Sequence, residues 1–153
     1  MEHAVISPSA ADRWIHCPGS VALTKELEDK GSEYAAEGTL AHSICELKLR
    51  KYFRIAKTGE KKPMGPRKYK SELDKLKTDP LYQPEMDGYT DVYVDHIKDQ
   101  ANSFSSAPAV FVEQRVDLSE YIPDGFGSSD CILIHGSDLY VYDFKYGKGI
   151  RVE

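Results

Sequence analysis

A chain of 153 residues with 41% hydrophobic side chains suffices for one compact domain and is short for two, so a single domain over residues 1–153 is expected. Its net charge of −5 excludes global attraction to nucleic acid, and any contact with a polyanion must come from a local patch. No apolar run approaches the roughly 20 residues of a membrane span and no charged-then-apolar leader is present, which predicts a cytoplasmic protein without membrane contact. Cys17, Cys45 and Cys131 are widely spaced and lack any CxxC arrangement, so they read as reduced thiols, mostly packed inside.

In chain order, Ser7 can cap a helix whose first turn takes Pro8, and Cys17-Pro18-Gly19 stops it. Ser20 can cap a second helix carrying Val21, Leu23 and Leu27. From Ser32 to Phe53, Leu40, Ile44, Leu47 and the alkyl stem of Lys51 recur at spacings of three and four, which predicts another helix. N-terminal helices therefore cover residues 7–53. Beyond Ile55 the apolar signal fades, while Gly59, Pro63, Gly65, Pro66 and Pro80 punctuate the chain, predicting a long loop over 55–83.

The stretch from Arg50 to Lys77 holds the strongest local basic patch: Lys51, Arg54, Lys57, Lys61, Lys62, Arg67, Lys68, Lys70, Lys75 and Lys77. Charge runs of this kind are commonly no more than solvated linkers. Pro84 then opens a helix over 84–104, in which Met86, Tyr89 or Thr90, Tyr93, Ile97 and Ala101 recur at helical spacing and should pack on a sheet. β-strands over 108–146 complete the chain, with candidates at Ala109–Val116, Asp130–Ile134 and Leu139–Lys145.

A Gly-Ser pair between apolar runs is a two-residue hairpin signal, glycine supplying the positive φ that a type II′ turn needs first. With Gly136 and Ser137 at the tip, His135 faces Asp138, Ile134 faces Leu139, Ile132 faces Val141 and Asp130 faces Asp143. Opposed side chains have Cβ atoms roughly 4.5 to 5.5 Å apart, a distance at which two like charges destabilise a sheet. A hard divalent cation, Mg²⁺ or Mn²⁺, would compensate for that repulsion. Strand alternation puts Lys145 on the face of Asp143 and turns Phe144 to the other side. Two carboxylates and an ammonium so arranged suit phosphodiester hydrolysis: the metal polarises the phosphate and acidifies a bound water, and the lysine orients that water and offsets developing charge. Taken alone, an Asp-x-Lys pair on a strand is usually a solvated face.

Four segments resemble the RecB-like branch of the PD-(D/E)XK nucleases, and within it a phage- and prophage-associated group: Ser7 to Ser20, Glu37-Gly38-Thr39-Leu40-Ala41-His42, Gly127-Ser128-Ser129-Asp130, and Val141 to Gly149. The resemblance implies an α/β or α+β fold, a mixed central β-sheet flanked by helices with a restriction-endonuclease-like core. It implies a metal site at His42, Asp130 and Asp143, with the backbone carbonyl of Phe144 as a further ligand and Asp130, Asp143 and Lys145 as the catalytic group. Glu46, one turn beyond His42, could orient the imidazole, and Glu113 could approach the site from the preceding strand. Arg13, Tyr146 and Lys148 are candidate DNA contacts.

The implied activity is Mg²⁺- or Mn²⁺-dependent hydrolysis of DNA during phage recombination, repair or processing, inside a bacterial host cell, with phage recombination proteins or a host protein as partners. Members of this branch continue past the Asp-x-Lys strand into a helix with a Gln and Tyr motif, whereas the sequence ends at Glu153. A truncated domain is therefore expected, and the alternative is a weak or inactive nuclease fold that binds DNA or a partner protein, for example to inhibit host defence. Some relatives hold an iron–sulfur cluster with one N-terminal and three C-terminal cysteines. Cys17 matches the first place alone, so no cluster is expected.

Overall fold

A computed structural model describes residues 6, 10–24 and 33–147, apart from the side chains of Thr24 and Glu33. Among these residues the fold is α+β, with five helices and a three-stranded antiparallel sheet in the order β1-β2-β3. The expected mixed sheet is corrected to an antiparallel one: parallel neighbours need a crossover of a dozen or more residues, and the strands here follow one another through short connections. Backbone contacts gather the chain into two compact units, residues 1–30 with 113–129 and residues 31–112 with 130–153. No helix among the described residues is long and apolar enough to cross a membrane.

In the first unit, α1 (Ala11–His16) and α2 (Gly19–Thr24) bear out the two short N-terminal helices. α1 stops at Cys17, as Cys17-Pro18-Gly19 predicts, with the Cys17 N–H donating to the Arg13 carbonyl at 2.9 Å. Ser20 is not a cap: it lies inside the first turn of α2 and is buried. Ser7, Pro8 and Leu27 fall outside the described residues. Between the strand segments of this unit, residues 118–125 close on themselves through Leu118 N–H to Gly125 O and Ile122 N–H to Leu118 O, both 2.9 Å. A side chain at Gly125 would put its Cβ 2.7 Å from Ile122, so the turn needs glycine there.

The second unit is built on α3 (Glu33–Phe53), within one residue of the predicted span. Leu40, Ile44 and Leu47 are buried as the spacing demands, and Ala41, Cys45 and Leu49 are buried beside them. α5 (Glu85–Ser103) packs along α3, and of the two alternatives in its stripe the structure buries Thr90 and leaves Tyr89 exposed. Leu49 of α3 and Val94, Ile97 and Ala101 of α5 meet Val112, Cys131 and Leu133 in one core cluster. That cluster covers one face of the sheet. Cys131 is buried there and Cys45 in a neighbouring cluster, while Cys17 is exposed; all three are free thiols.

The predicted loop over 55–83 is overturned by α4 (Pro66–Lys77). Pro66 is its first residue rather than loop punctuation, with Gly65 as N-cap, a place where proline's missing N–H costs nothing. Tyr69, Leu73 and Leu76, at spacings of four and three, form its half-buried stripe, and the leucines pack on Leu40, Ala41 and Ile44 of α3 and their neighbours. The basic patch is partly neutralised: Lys57 pairs with Glu72 of this helix and Lys68 with Glu60, both at 2.6 Å, and Lys77 pairs with Asp87 of α5. Lys61, Lys62, Arg67, Lys70 and Lys75 stay exposed.

Two cations hold the helices in place. α3 ends in a Schellman turn, with Arg54 left-handed at φ 56° and the Ile55 N–H donating to the Arg50 carbonyl at 3.0 Å. The Arg50 side chain, 5% exposed, donates to Glu46 at 2.6 Å, to the Ala56 carbonyl at 2.7 Å and to the Val112 carbonyl at 3.0 Å. Lys48 reaches across to α5, donating to the Asp87 carbonyl, the Thr90 hydroxyl and the Asp91 carboxylate.

β2 (Phe126–His135) and β3 (Asp138–Tyr142) form the predicted hairpin in the predicted register: His135 faces Asp138, Ile134 faces Leu139 and Ile132 faces Val141. Gly136 has φ 61° and Ser137 is not among the positive-φ residues, the pattern of a type II′ turn. β1 (Ala109–Asp117) runs one residue beyond its expected end. The ladder, however, ends at Cys131 opposite Tyr142. Asp143 to Lys145 therefore follow β3 instead of belonging to it, and the opposition of Asp130 and Asp143 is not a strand pair.

Arg50→Met is expected to destabilise the protein by about 3 kcal/mol in urea unfolding, because Glu46 and two carbonyls lose a buried donor; Lys51→Met should stay within about 0.5 kcal/mol. A second expectation concerns Asp87. Burial pushes its carboxyl up, but hydrogen bonds from Lys77 and Tyr82 outweigh this and hold it below the ordinary value. Its contribution is thus present above the unfolded carboxylate pKa of about 3.9 and lost as pH falls through the lower folded value. Asp87→Asn should cost about 1 kcal/mol at pH 7 and close to nothing near pH 2, read from thermal melts.

Candidate metal centre

The centre is assembled by the end of the hairpin and the middle of α3. Asp130, on β2 just before the paired stretch, points its carboxylate at α3, where His42 Nδ1 lies 3.2 Å from Oδ1. The other oxygen, Oδ2, accepts the Phe144 N–H at 2.6 Å. Where the β-ladder has stopped, this side-chain contact replaces the missing backbone pair and fixes the chain that leaves β3. Phe144 is itself anchored by its ring, 7% exposed, edge-on to His42 at 5.4 Å and tilted against Tyr93 at 4.9 Å. The cluster beneath includes Leu40, Ala41, Ile44 and Met86.

With Phe144 turned inward, Asp143 and Lys145 face solvent together, as alternation predicts, and their side chains pair at 2.7 Å. Burial pushes the Asp130 carboxyl up, but the hydrogen bonds from His42 and from the Phe144 N–H, with the charges of His42 and Lys145, hold it below the ordinary value. Asp130 is therefore ionised at neutral pH, and a carboxylate facing Nδ1 favours the tautomer that carries its hydrogen there. With an ion between them, Nδ1 and Oδ1 would instead both be ligand atoms, their 3.2 Å separation being that of neighbours on one cation. Tyr93 stands beside the centre; its hydroxyl is buried without a hydrogen-bond partner and is pushed far up by burial and by Asp130. Burial and Asp130 likewise push the Cys131 thiol up to about 12, so it is inert.

Of the residues singled out from the sequence, His42, Asp130 and Phe144 come together, and Asp143 and Lys145 pair on the adjoining surface. Phe144 reaches Asp130 through its N–H. Glu46 does not orient the imidazole: its carboxylate is taken by Arg50 at 2.6 Å, one helical turn the other way. Glu113 lies in the other compact unit, half-buried on β1 with φ 51°. Arg13 is in that unit too, exposed on α1. Lys148 lies outside the described residues. Tyr146 is half-buried, its ring 6.1 Å from that of Tyr89. The helical spacing of Tyr93 on α5 identifies the buried stripe but cannot tell that the hydroxyl ends where Asp130 acts on it.

Asp130→Ala removes the acceptor of the Phe144 amide. Hydrogen exchange at Phe144 should quicken at least about tenfold, with a loss of about 2 kcal/mol. Asp143→Ala should leave that amide protected and stability within about 0.5 kcal/mol. Equal protection in both variants would mean that Asp130 does not hold the segment.

The model of the family described as Protein of unknown function (DUF2800) matches residues 3–153. No solved structure matches the chain.

Proposed function

We propose that this chain, which belongs to the DUF2800 family, is a nuclease domain that hydrolyses DNA phosphodiester bonds with Mg²⁺ or Mn²⁺. The observation that carries the reading is the Asp130 carboxylate, kept ionised between His42 and the Phe144 N–H, with the Asp143–Lys145 pair on either side of Phe144. The donors suit the cation: carboxylate and carbonyl oxygens are what Mg²⁺ prefers, and an added imidazole is readily taken by Mn²⁺. Asp130, Asp143, His42 and the Phe144 carbonyl would hold the ion, which when bound would polarise a phosphate and acidify a water.

The side chains do the rest. Lys145, exposed and tethered to Asp143, orients the attacking water and offsets charge gathering on the phosphate. Asp143 keeps that ammonium at the centre rather than swinging in solvent. The Phe144 ring, buried between His42 and Tyr93, prevents the segment from turning over. Exposed Lys61, Lys62, Arg67, Lys70 and Lys75 supply the cationic surface that a net-negative chain needs to hold a polyanion. An antiparallel sheet backed on one face by α3 and α5 supports the restriction-endonuclease-like core that goes with this reading.

Labelled DNA incubated with the purified protein should be cut in Mg²⁺ or Mn²⁺ and spared in chelator. Asp143→Ala and Lys145→Ala should each slow cleavage by about 100-fold or more, with melting temperatures unchanged. Metal binding without cleavage would move the reading to a nuclease fold that binds DNA or a partner without turnover. Cleavage indifferent to both substitutions, or no metal binding, would end it.

A further inference from the structure

A cleft of about 850 Å³ opens beside Lys145, between the first turns of α3, the solvent side of α5 and the segment after Phe144. Its walls are tyrosines: Tyr34 and Tyr89 are more than half exposed, and Tyr89 meets Tyr146 nearly edge-on, their planes 68° apart. Bare aromatic rings of this extent, all borne by one compact unit, are costly to leave in water and mark a surface built to be covered.

The charges around the rings say by what. Glu37 and Glu85 line the cleft, and neither takes part in an ion pair among the described residues. The Tyr146 hydroxyl is pushed up by burial and then by Glu37 and Glu85, so both carboxylates act on the same spot. Lys145, also in the lining, has its ammonium on Asp143 at 2.7 Å and is outnumbered by the two carboxylates. A polyanion entering here would meet Glu37, Glu85 and Asp143 with one paired lysine and the His96 imidazole to offset them. A guanidinium or ammonium would meet tyrosine faces, which attract cations, and carboxylates able to hydrogen-bond it.

We propose that this cleft docks a basic segment of a partner protein, an arginine seated in the corner of Tyr89 and Tyr146 and bound by Glu37 and Glu85. The volume exceeds one side chain, and Val92 and the Phe144 ring offer apolar wall to the residues flanking the arginine. This inference stands apart from the nuclease reading, because it concerns binding and is read without cleavage.

The test is a titration of the full chain, followed by NMR, with an acetylated Gly-Arg-Arg-Gly amide and with the same peptide carrying citrulline, which keeps the shape and removes the charge. The arginine peptide should shift the ring signals of Tyr89 and Tyr146, and the citrulline peptide should bind at least about tenfold more weakly. Glu37→Gln combined with Glu85→Gln, and separately Tyr89→Ala, should each weaken the arginine peptide by about tenfold with melting curves unchanged, while Asp74→Asn on α4 should leave its affinity as it was. Equal affinity for both peptides, or indifference to the cleft substitutions, would overturn the proposal. So would shifts at these tyrosines with oligothymidylate and none with the arginine peptide, which would assign the cleft to stacked nucleobases.

Discussion

The Asp130 carboxylate does for the end of the hairpin what a backbone ladder does for its middle. Beyond Tyr142 the strand has no further paired partner, and a free chain would be expected to fray. One oxygen takes the Phe144 N–H, the other faces His42 on α3, and the segment with Asp143 and Lys145 becomes part of the framework. An ionised carboxylate accepting two such contacts is stronger than two neutral hydrogen bonds, which is how the charge survives at a half-buried position. The same carboxylate that would bind a cation thereby positions its own neighbours.

That arrangement is only as firm as α3, the helix that touches every layer of the larger unit. Its apolar residues fill two clusters, and its two inward cations, Lys48 and Arg50, satisfy acceptors on α5, on the loop after α3 and on β1. Buried cations seldom add net stability over apolar replacements, but they allow few geometries. A guanidinium that donates to Glu46, Ala56 and Val112 at once fixes the height of β1 against the helix end. His42, two turns earlier, inherits that alignment.

Much of this was legible in the sequence where a period or a turn signal was strong. α3 and α5 follow from apolar spacing, and the hairpin register from Gly136-Ser137. What escaped has physical causes. α4 offers a stripe of Tyr69, Leu73 and Leu76 diluted among lysines, and Pro66 marks either a break or a first helical residue with equal ease. Arg50 read as part of a solvated patch because burial of a cation depends on carbonyls distant in the chain, and once Arg50 turned inward it took Glu46 away from His42. The strand pattern through Lys145 kept its alternation of inward and outward side chains, yet the backbone pairing stopped at Tyr142, a difference that side-chain period cannot detect. For the centre itself, the convergence of His42, Asp130 and Phe144 needed the fold, while the Asp143–Lys145 pairing was already implied by alternation.

The tight tip at Gly136-Ser137 gives the protein a counting rule. Each arm of the hairpin carries chemistry at its far end and packing residues between, so the tip fixes how many residues separate Asp130 from Asp143. Slipping the pairing by a single residue would reverse the facing of every side chain on one arm, sending Cys131 and Leu133 outward or exposing Tyr140 and Tyr142. The connection from Lys57 to Gly65 carries no such constraint. What holds that connection is the pairing of Lys57 with Glu72 and of Glu60 with Lys68, whereas along the hairpin the two arms must keep their register.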